Sequence, residues 1–202
     1  MTTDFDAIFK AYDVRGTVPD QFDADGARAI GGAFARFVAG HGATSIVVGR
    51  DMRPDGEEFV AAFSDGAMAH GIDVVDAGLC ATDMMYFASG VLDMPGAVFT
   101  ASHNPAGYNG IKMCLAKAAP IGSESGLDLI KQMAIAGPEP AASRGTRTER
   151  DMLEGYVAHV HSFVDVASLQ PLKVVADTAN GMGGLVLPAV MADLPFEVDH
   201  MY

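Results

Sequence analysis

The chain is short of several things that would place it in a class at once. It has 2 cysteines, Cys80 and Cys114, in 202 residues, too few for a disulfide framework and without the spacing of a zinc site, so both are expected as reduced residues in or near the core. No run approaches the roughly 18 consecutive apolar residues that a membrane span needs, and the start Met1-Thr2-Thr3-Asp4-Phe5-Asp6 has neither the basic segment nor the apolar segment of a secretory leader. The cytoplasm is the compartment this implies, with no membrane partner. Basic residues are scarce as well: 13 against 26 acidic ones, a net charge of −13, which argues against a nucleic-acid or anionic-membrane surface but leaves room for a local basic pocket. Gly31-Gly32 is not followed by the Lys-Ser/Thr of a phosphate-binding loop and reads as close helix packing. There is no Gly-x-Ser-x-Gly elbow, and no Asp-x-Asp-x-Asp run.

What is present is a chain 50% hydrophobic and 19% charged, able to bury a sizeable core. Residues 8–16 predict a strand followed by an irregular loop carrying Arg15. Asp23 or Asp25 caps a helix whose apolar set, Ala27, Ile30, Phe34, Phe37 and Val38, falls at helical spacing, and Gly40 and Gly42 end it. Strands are expected over 45–49, 72–76, 96–100 and 113–115, with helices over 55–70, 82–90 and 120–136 between or after them. That order requires crossover connections and predicts an α/β fold: a three-layer α/β/α domain with a mostly parallel, mixed sheet. Residues 137–150, with two prolines and no apolar periodicity, read as a connection. The boundary placed there divides the chain into 1–150 and 151–202. The second part predicts a helix over 151–164, strands over 172–176 and 196–198, and a short helix over 185–191. At roughly 50 residues it is at the low edge of an independent domain, and is expected to be the start of one.

The stretch Thr100-Ala101-Ser102-His103-Asn104-Pro105, continuing into Gly107-Tyr108-Asn109-Gly110-Ile111-Lys112, holds the densest chemistry. The preceding strand should end at Thr100, and Pro105 and Gly107 impose a turn that a continuing strand could not make. Ser102 is open to three readings: a hydrolase nucleophile with His103 as base, a carrier of a phosphoryl group, or a turn serine bonded to its own backbone. Neighbouring side chains on an extended segment point apart, which counts against the hydrolase.

These residues resemble the phosphoserine loop of the α-D-phosphohexomutases, the family of phosphomannomutase and phosphoglucomutase. Phe9-Lys10-Ala11-Tyr12-Asp13-Val14-Arg15-Gly16 is similar to the N-terminal signature of its phosphomannomutase/phosphoglucomutase branch, and Gly49-Arg50-Asp51-Met52-Arg53 falls between the two blocks as the family pattern requires. The resemblance implies that Ser102 is the phosphoserine and that Lys112 moves a proton at the reacting hydroxyl. His103 and Asn104 would line the same loop, and Lys10, Tyr12, Arg15 and Arg50 would support the site. It implies hexose phosphates as partners, of mannose or glucose, a hexose 1,6-bisphosphate as activator and intermediate, and Mg2+ held by the phosphoserine together with an Asp-x-Asp-x-Asp run. Residues 1–202 contain the serine and not the run, so as a separate polypeptide they are expected to be inactive. Phosphoglucosamine mutase is an alternative, disfavoured because its N-terminal signature usually differs; so is a sugar-phosphate-binding or interaction module that retains the loop without catalysis.

Taken singly, each of these residues has a plainer explanation. Lys112 could be an ordinary strand lysine, and Arg15 and Arg50 structural ion pairs. His159 and His161 lie two apart on a predicted helix, face different ways, and do not suggest a metal pair. Asp177-Thr178-Ala179-Asn180-Gly181 reads as a structural turn, and Thr82-Asp83 as a local variation of a helix start.

Overall fold

Residues 3–137 and 139–202 are described in a computed structural model, in which the chain divides into two compact units, one ending at Arg150 and the other running from Asp151 to Tyr202. The first unit contains α1 (Phe5–Ile8), β1 (Val14–Thr17), α2 (Ala24–Ala39), β2 (Ser45–Arg50), α3 (Gly56–Ala69) and β3 (Asp73–Leu79). These are followed by α4 (Thr82–Leu92), β4 (Gly96–Phe99), β5 (Tyr108–Leu115), β6 (Ala119–Pro120), α5 (Leu127–Ala136) and β7 (Arg147–Glu149). Among the described residues, 7 strands form its sheet in the order β1-β5-β4-β2-β3-β7, with β6 added to β5. β4, β2, β3 and β7 run parallel, whereas β5 is antiparallel to both β4 and β1. The mixture has a simple cause. Helical crossovers return the chain for a parallel strand, but the connection from β4 to β5 has no helix, so β5 comes back in the opposite sense. That connection carries Ser102.

Period-two alternation assigns β2 and β4 to two apolar layers. Ile46, Val48, Ala97 and Phe99 join the core that contains Phe34, Phe59 and Phe63 of α2 and α3. Phe99 meets Phe63 edge-on at 5.5 Å and Phe59 at 6.1 Å between ring centroids, which fixes the end of β4 just before the serine loop. On the other face, α4 brings Met85 against Gly49 and Gly96, giving the α/β/α sandwich. The close packing expected of Gly31 is found: a Cβ there would lie 2.1 Å from the Phe63 carbonyl oxygen. Asp23 caps α2, accepting from Gly26 N at 2.8 Å and from the Thr3 hydroxyl at 2.7 Å. Both cysteines are buried and unpaired, and burial pushes the Cys80 thiol up to about 12, with the charge of Asp83 adding to the effect.

Two expectations for this unit are corrected. Residues 8–16 do not form a strand followed by a loop: Asp4 caps the short α1 by accepting from Ala7 N, an irregular segment follows, and Arg15 lies on β1. The Asp4 cap closes a single helical turn, Phe9 makes only an isolated bridge to Val14, and the strand begins where the ladder with β5 begins, at Val14. The 137–150 segment is not merely a connection, because residues 147–149 add β7 to the sheet edge beside β3. All three of its residues are exposed, so it carries no apolar alternation to read. It is held instead by backbone pairing and by Asp73, whose carboxylate accepts from Thr146 N at 2.7 Å and from its hydroxyl at 2.8 Å.

Those two bonds favour the ionised carboxyl and hold the Asp73 pKa below its usual value, the backbone bond contributing more than the hydroxyl. A carboxyl whose pKa is lower in the folded chain contributes stability above its unfolded pKa, and that contribution disappears as pH falls through the folded value. Thr146→Val should therefore move the Asp73 pKa upward while leaving the rest of the sheet in place. A carboxyl-carbon NMR titration checks this, and an unchanged Asp73 curve would show that the hydroxyl bond does not hold in solution.

The second unit contains α6 (Leu153–His161), β8 (Leu172–Asp177), α7 (Gly183–Met191) and β9 (Phe196–Met201), with β8 and β9 parallel. α6 is shorter than the predicted 151–164 at both ends: Asp151 accepts from Leu153 N at 2.9 Å before it begins, and past His161 the chain continues in i→i−3 bonds, Phe163 N to the Val160 carbonyl and Val164 N to that of His161. His161 Nε2 lies 2.7 Å from the Val190 carbonyl oxygen and His159 meets the edge of Phe163, consistent with two separate environments. The turn at 177–181 is bonded locally, Asp177 accepting from Ala179 N at 2.9 Å.

Candidate functional site

At the end of β4 the chain leaves the sheet through Thr100, whose hydroxyl accepts from Ser102 N at 3.0 Å. Ser102 has φ 51, in the left-handed region, a conformation that costs a non-glycine residue roughly 1–2 kcal/mol. Its side chain and that of His103 are exposed, while Asn104 is half-buried. Gly110 on β5 lets the backbones close behind the loop: a Cβ there would stand 2.1 Å from the Val14 carbonyl oxygen and 3.1 Å from that of Thr100.

The strained loop is held by Arg53. Its side chain is 7% exposed and its guanidinium donates to four loop carbonyls: Ser102 at 3.0 Å, Asn104 at 2.7 Å, Pro105 at 2.9 Å and Tyr108 at 2.6 Å. A planar fork of donors suits carbonyls that converge from several directions, whereas an ammonium group could not reach them together. Asp51 supplies the opposing charge, its carboxylate accepting from Arg53 N at 2.9 Å and lying 3.4 Å from Nε. Asp51 is itself placed by its own N–H, which donates to the Phe99 carbonyl at 2.8 Å.

A second group reaches the loop from the edge strand β1. Val14 pairs with Ile111, which puts Arg15 opposite Gly110 and brings Asp13 beside Lys112. One guanidinium nitrogen of Arg15 donates to the Asn104 side-chain oxygen. The other donates to Asp13 Oδ2 at 2.7 Å, and the same oxygen accepts from Lys112 Nζ at 3.0 Å. Lys112 also lines a cavity of about 630 Å³ with Tyr12, Tyr86, Ser123, Glu124 and Ser125.

The residues singled out from sequence thus have unequal positions. Ser102, His103 and Asn104 share the loop, Arg15 reaches it directly, and Lys112 is connected through Asp13 and Arg15. Tyr12 is 79% exposed at the cavity. Lys10 turns away, its ammonium bonding to the Ala7 carbonyl. Arg50 stands at the end of β2, paired in register with Phe99, but its guanidinium is directed to Glu57 at 3.5 Å and to the Asp51 carbonyl at 3.4 Å. Within the Gly49–Arg53 block, Arg53 is the arginine that contacts the serine loop. Sequence reading passed over Arg53 and Asp13 although both lie inside the blocks it identified. Among the described residues no group of three or more His, Cys, Asp or Glu side chains could hold a metal, and of the ligands that the resemblance implies for magnesium these residues contain only Ser102.

The model of the family described as phosphoglucomutase/phosphomannomutase, alpha/beta/alpha domain I, matches residues 6–137. The chain belongs to the phosphoglucomutase/phosphomannomutase family. It is 41% identical over 194 residues to the phosphohexose mutases of Xanthomonas campestris pv. campestris, covering 94% of this chain and 42% of that relative. A phosphomannomutase of Escherichia coli is 39% identical over 187 residues, with 90% and 40% covered. The crystal structure of a phosphoglucomutase/phosphomannomutase family protein from Burkholderia thailandensis superposes with a TM-score of 0.88 at 35% identity, covering 99% of this chain and 44% of that one. The chain therefore spans about two fifths of the length of these relatives. The family's domain I match takes in the serine loop, Arg53, Asp13, Arg15 and Lys112 together, while β7 and the second unit lie outside it.

Proposed function

We propose that this chain supplies the phosphoserine side of a phosphohexomutase active site, for a reaction that moves a phosphoryl group between the 1- and 6-positions of a mannose or glucose phosphate. In this reading Ser102 Oγ carries the phosphoryl group. Attack by a sugar hydroxyl breaks the Oγ–P bond and forms a sugar O–P bond, giving a hexose 1,6-bisphosphate. After the bisphosphate turns around, Ser102 recovers a phosphoryl group from its other end. Lys112 exchanges the hydroxyl proton, and Arg15 offsets charge on the moving oxygens. Phosphoryl transfer depends mainly on positioning and electrostatic stabilisation, and the observation that carries the proposal is an exposed serine held in a left-handed conformation by four bonds from Arg53. Residues 1–150 would be domain I and 151–202 part of domain II, a division supported by the separate packing of the two units. A cytoplasmic setting agrees with hexose phosphate partners, and no described helix is long and apolar enough to cross a membrane.

The test is phosphopeptide mapping of the polypeptide purified from its own cells, beside the Ser102→Ala variant. Phosphate is expected on Ser102, and the variant should lose both the phosphate and the mutase activity. Consistent placement of the phosphate on Ser123 or Ser125 would remove the assignment.

A further inference from the structure

Asp13 has one carboxylate oxygen on which two cations converge, Arg15 at 2.7 Å and Lys112 at 3.0 Å. The three side chains are 14%, 16% and 27% exposed respectively, so solvent screens them less than it would a surface pair. Without the shared anion, like charge would drive the two cations apart, and the long lysine stem would lose its fixed direction. From this oxygen the connections run two ways. Arg15 continues to Asn104 in the serine loop, and its buried Nε has no acceptor among the described residues. Lys112 continues to the cavity beside Tyr12 and Tyr86.

We propose that Asp13 is a positioning residue for phosphoryl transfer: its Oδ2 holds the Arg15 guanidinium on the Ser102 loop and the Lys112 ammonium at the neighbouring cavity in one fixed arrangement. The proposal rests on the reading of Ser102 as the phosphoryl carrier. Asp13 acts through the two cations, keeping the proton-exchanging group and the charge-neutralising group at a fixed separation. It is not needed as a strut between β1 and β5, because the backbone ladder from Val14 to Thr17 already joins them and Asp13 lies just outside it.

Asp13→Asn preserves shape and removes the charge. In the polypeptide as its gene encodes it, kcat for hexose phosphate isomerisation should fall about 10²-fold, the size of effect that misplacing a reacting group produces. KM should change little, melting temperature should fall by less than in Arg53→Ala because the two cations are more exposed than Arg53 and Asp51 and can turn toward solvent, and Asp13→Glu should recover most of the kcat loss. In the 202-residue chain, the Lys112 ammonium signal in a proton–nitrogen NMR spectrum, assigned with Lys112→Arg, should exchange with water faster in Asp13→Asn than in wild type. Unchanged kcat, or an unchanged Lys112 exchange rate, would overturn the proposal. So would a kcat loss that follows a fall in melting temperature and is not recovered by Asp13→Glu, since that pattern belongs to a strut. If wild-type polypeptide carries no phosphate on Ser102, the parent reading fails and the role fails with it; that result appears in the phosphopeptide map and not in the lysine spectrum, so the two failures are distinguishable.

Discussion

Arg53→Ala is expected to destabilise the first unit by about 3–5 kcal/mol, the range found when one member of a buried ion pair is removed, and to release the Ser102 loop. The loop carbonyls are only part of that cost, because in an exposed loop water can replace some of the lost donors. The larger part is Asp51, which is 5% exposed as a residue and would keep the Arg53 N–H but lose the charge that opposes its own. For a unit of this size each kcal/mol corresponds to roughly 2–4 °C in melting temperature, so the shift should be about 10 °C. Arg53→Lys should recover part of the charge and little of the loop geometry, since three donors on a flexible stem do not reproduce a planar fork. Thermal unfolding measures the first effect and limited proteolysis between Ser102 and Gly107 the second. A variant that melts with wild type and resists cleavage would show that the four carbonyl bonds do not hold the loop in solution.

Residues 1–202, purified as a separate polypeptide, are expected not to interconvert sugar phosphates at a useful rate despite the complete serine loop. Orientation of reacting groups contributes on the order of 7–11 kcal/mol to lowering such barriers. Here Arg15 stands on the Ser102 loop and Lys112 is tied to it through Asp13, and positive charge alone does not fix the orientation of a sugar phosphate. The acidic run that the family resemblance pairs with the phosphoserine is missing from these residues, and the described side chains offer no alternative ligand cluster. A coupled assay with mannose 1-phosphate or glucose 1-phosphate, magnesium and the matching bisphosphate checks this, run beside a full-length relative. Turnover comparable to that relative would mean that the substrate grip lies within this chain.

Much of the architecture was legible from local order. Strand-forming apolar runs alternated with capped helical patterns, and a parallel sheet with crossovers follows from that alternation. The exceptions share a physical cause. β7 is exposed on all three residues and is specified by backbone pairing and by the Asp73–Thr146 bonds, which leave no hydrophobic period. α1 is a four-residue turn created by one cap, too short to produce a helical pattern.

The site divides in the same way. Residue order alone determined that a serine, a histidine and an asparagine stand together after a buried strand, because a proline and a glycine must turn the chain there and the strand end fixes where the turn occurs. It could not determine which arginine serves that turn. Arg50 and Arg53 belong to one short block, and their fates separate because β2 pairs with β4 so that Arg50 lies opposite Phe99, leaving Arg53 to reach four carbonyls between Ser102 and Tyr108. Nor could it show that Asp13 is shared by Arg15 and Lys112, because that depends on the antiparallel register of β1 on β5, which brings residues 99 positions apart within a hydrogen bond of each other. Local sequence sets turns, caps and apolar faces through short-range sterics and burial; the partners of buried charges are set by strand register, which only the folded chain decides.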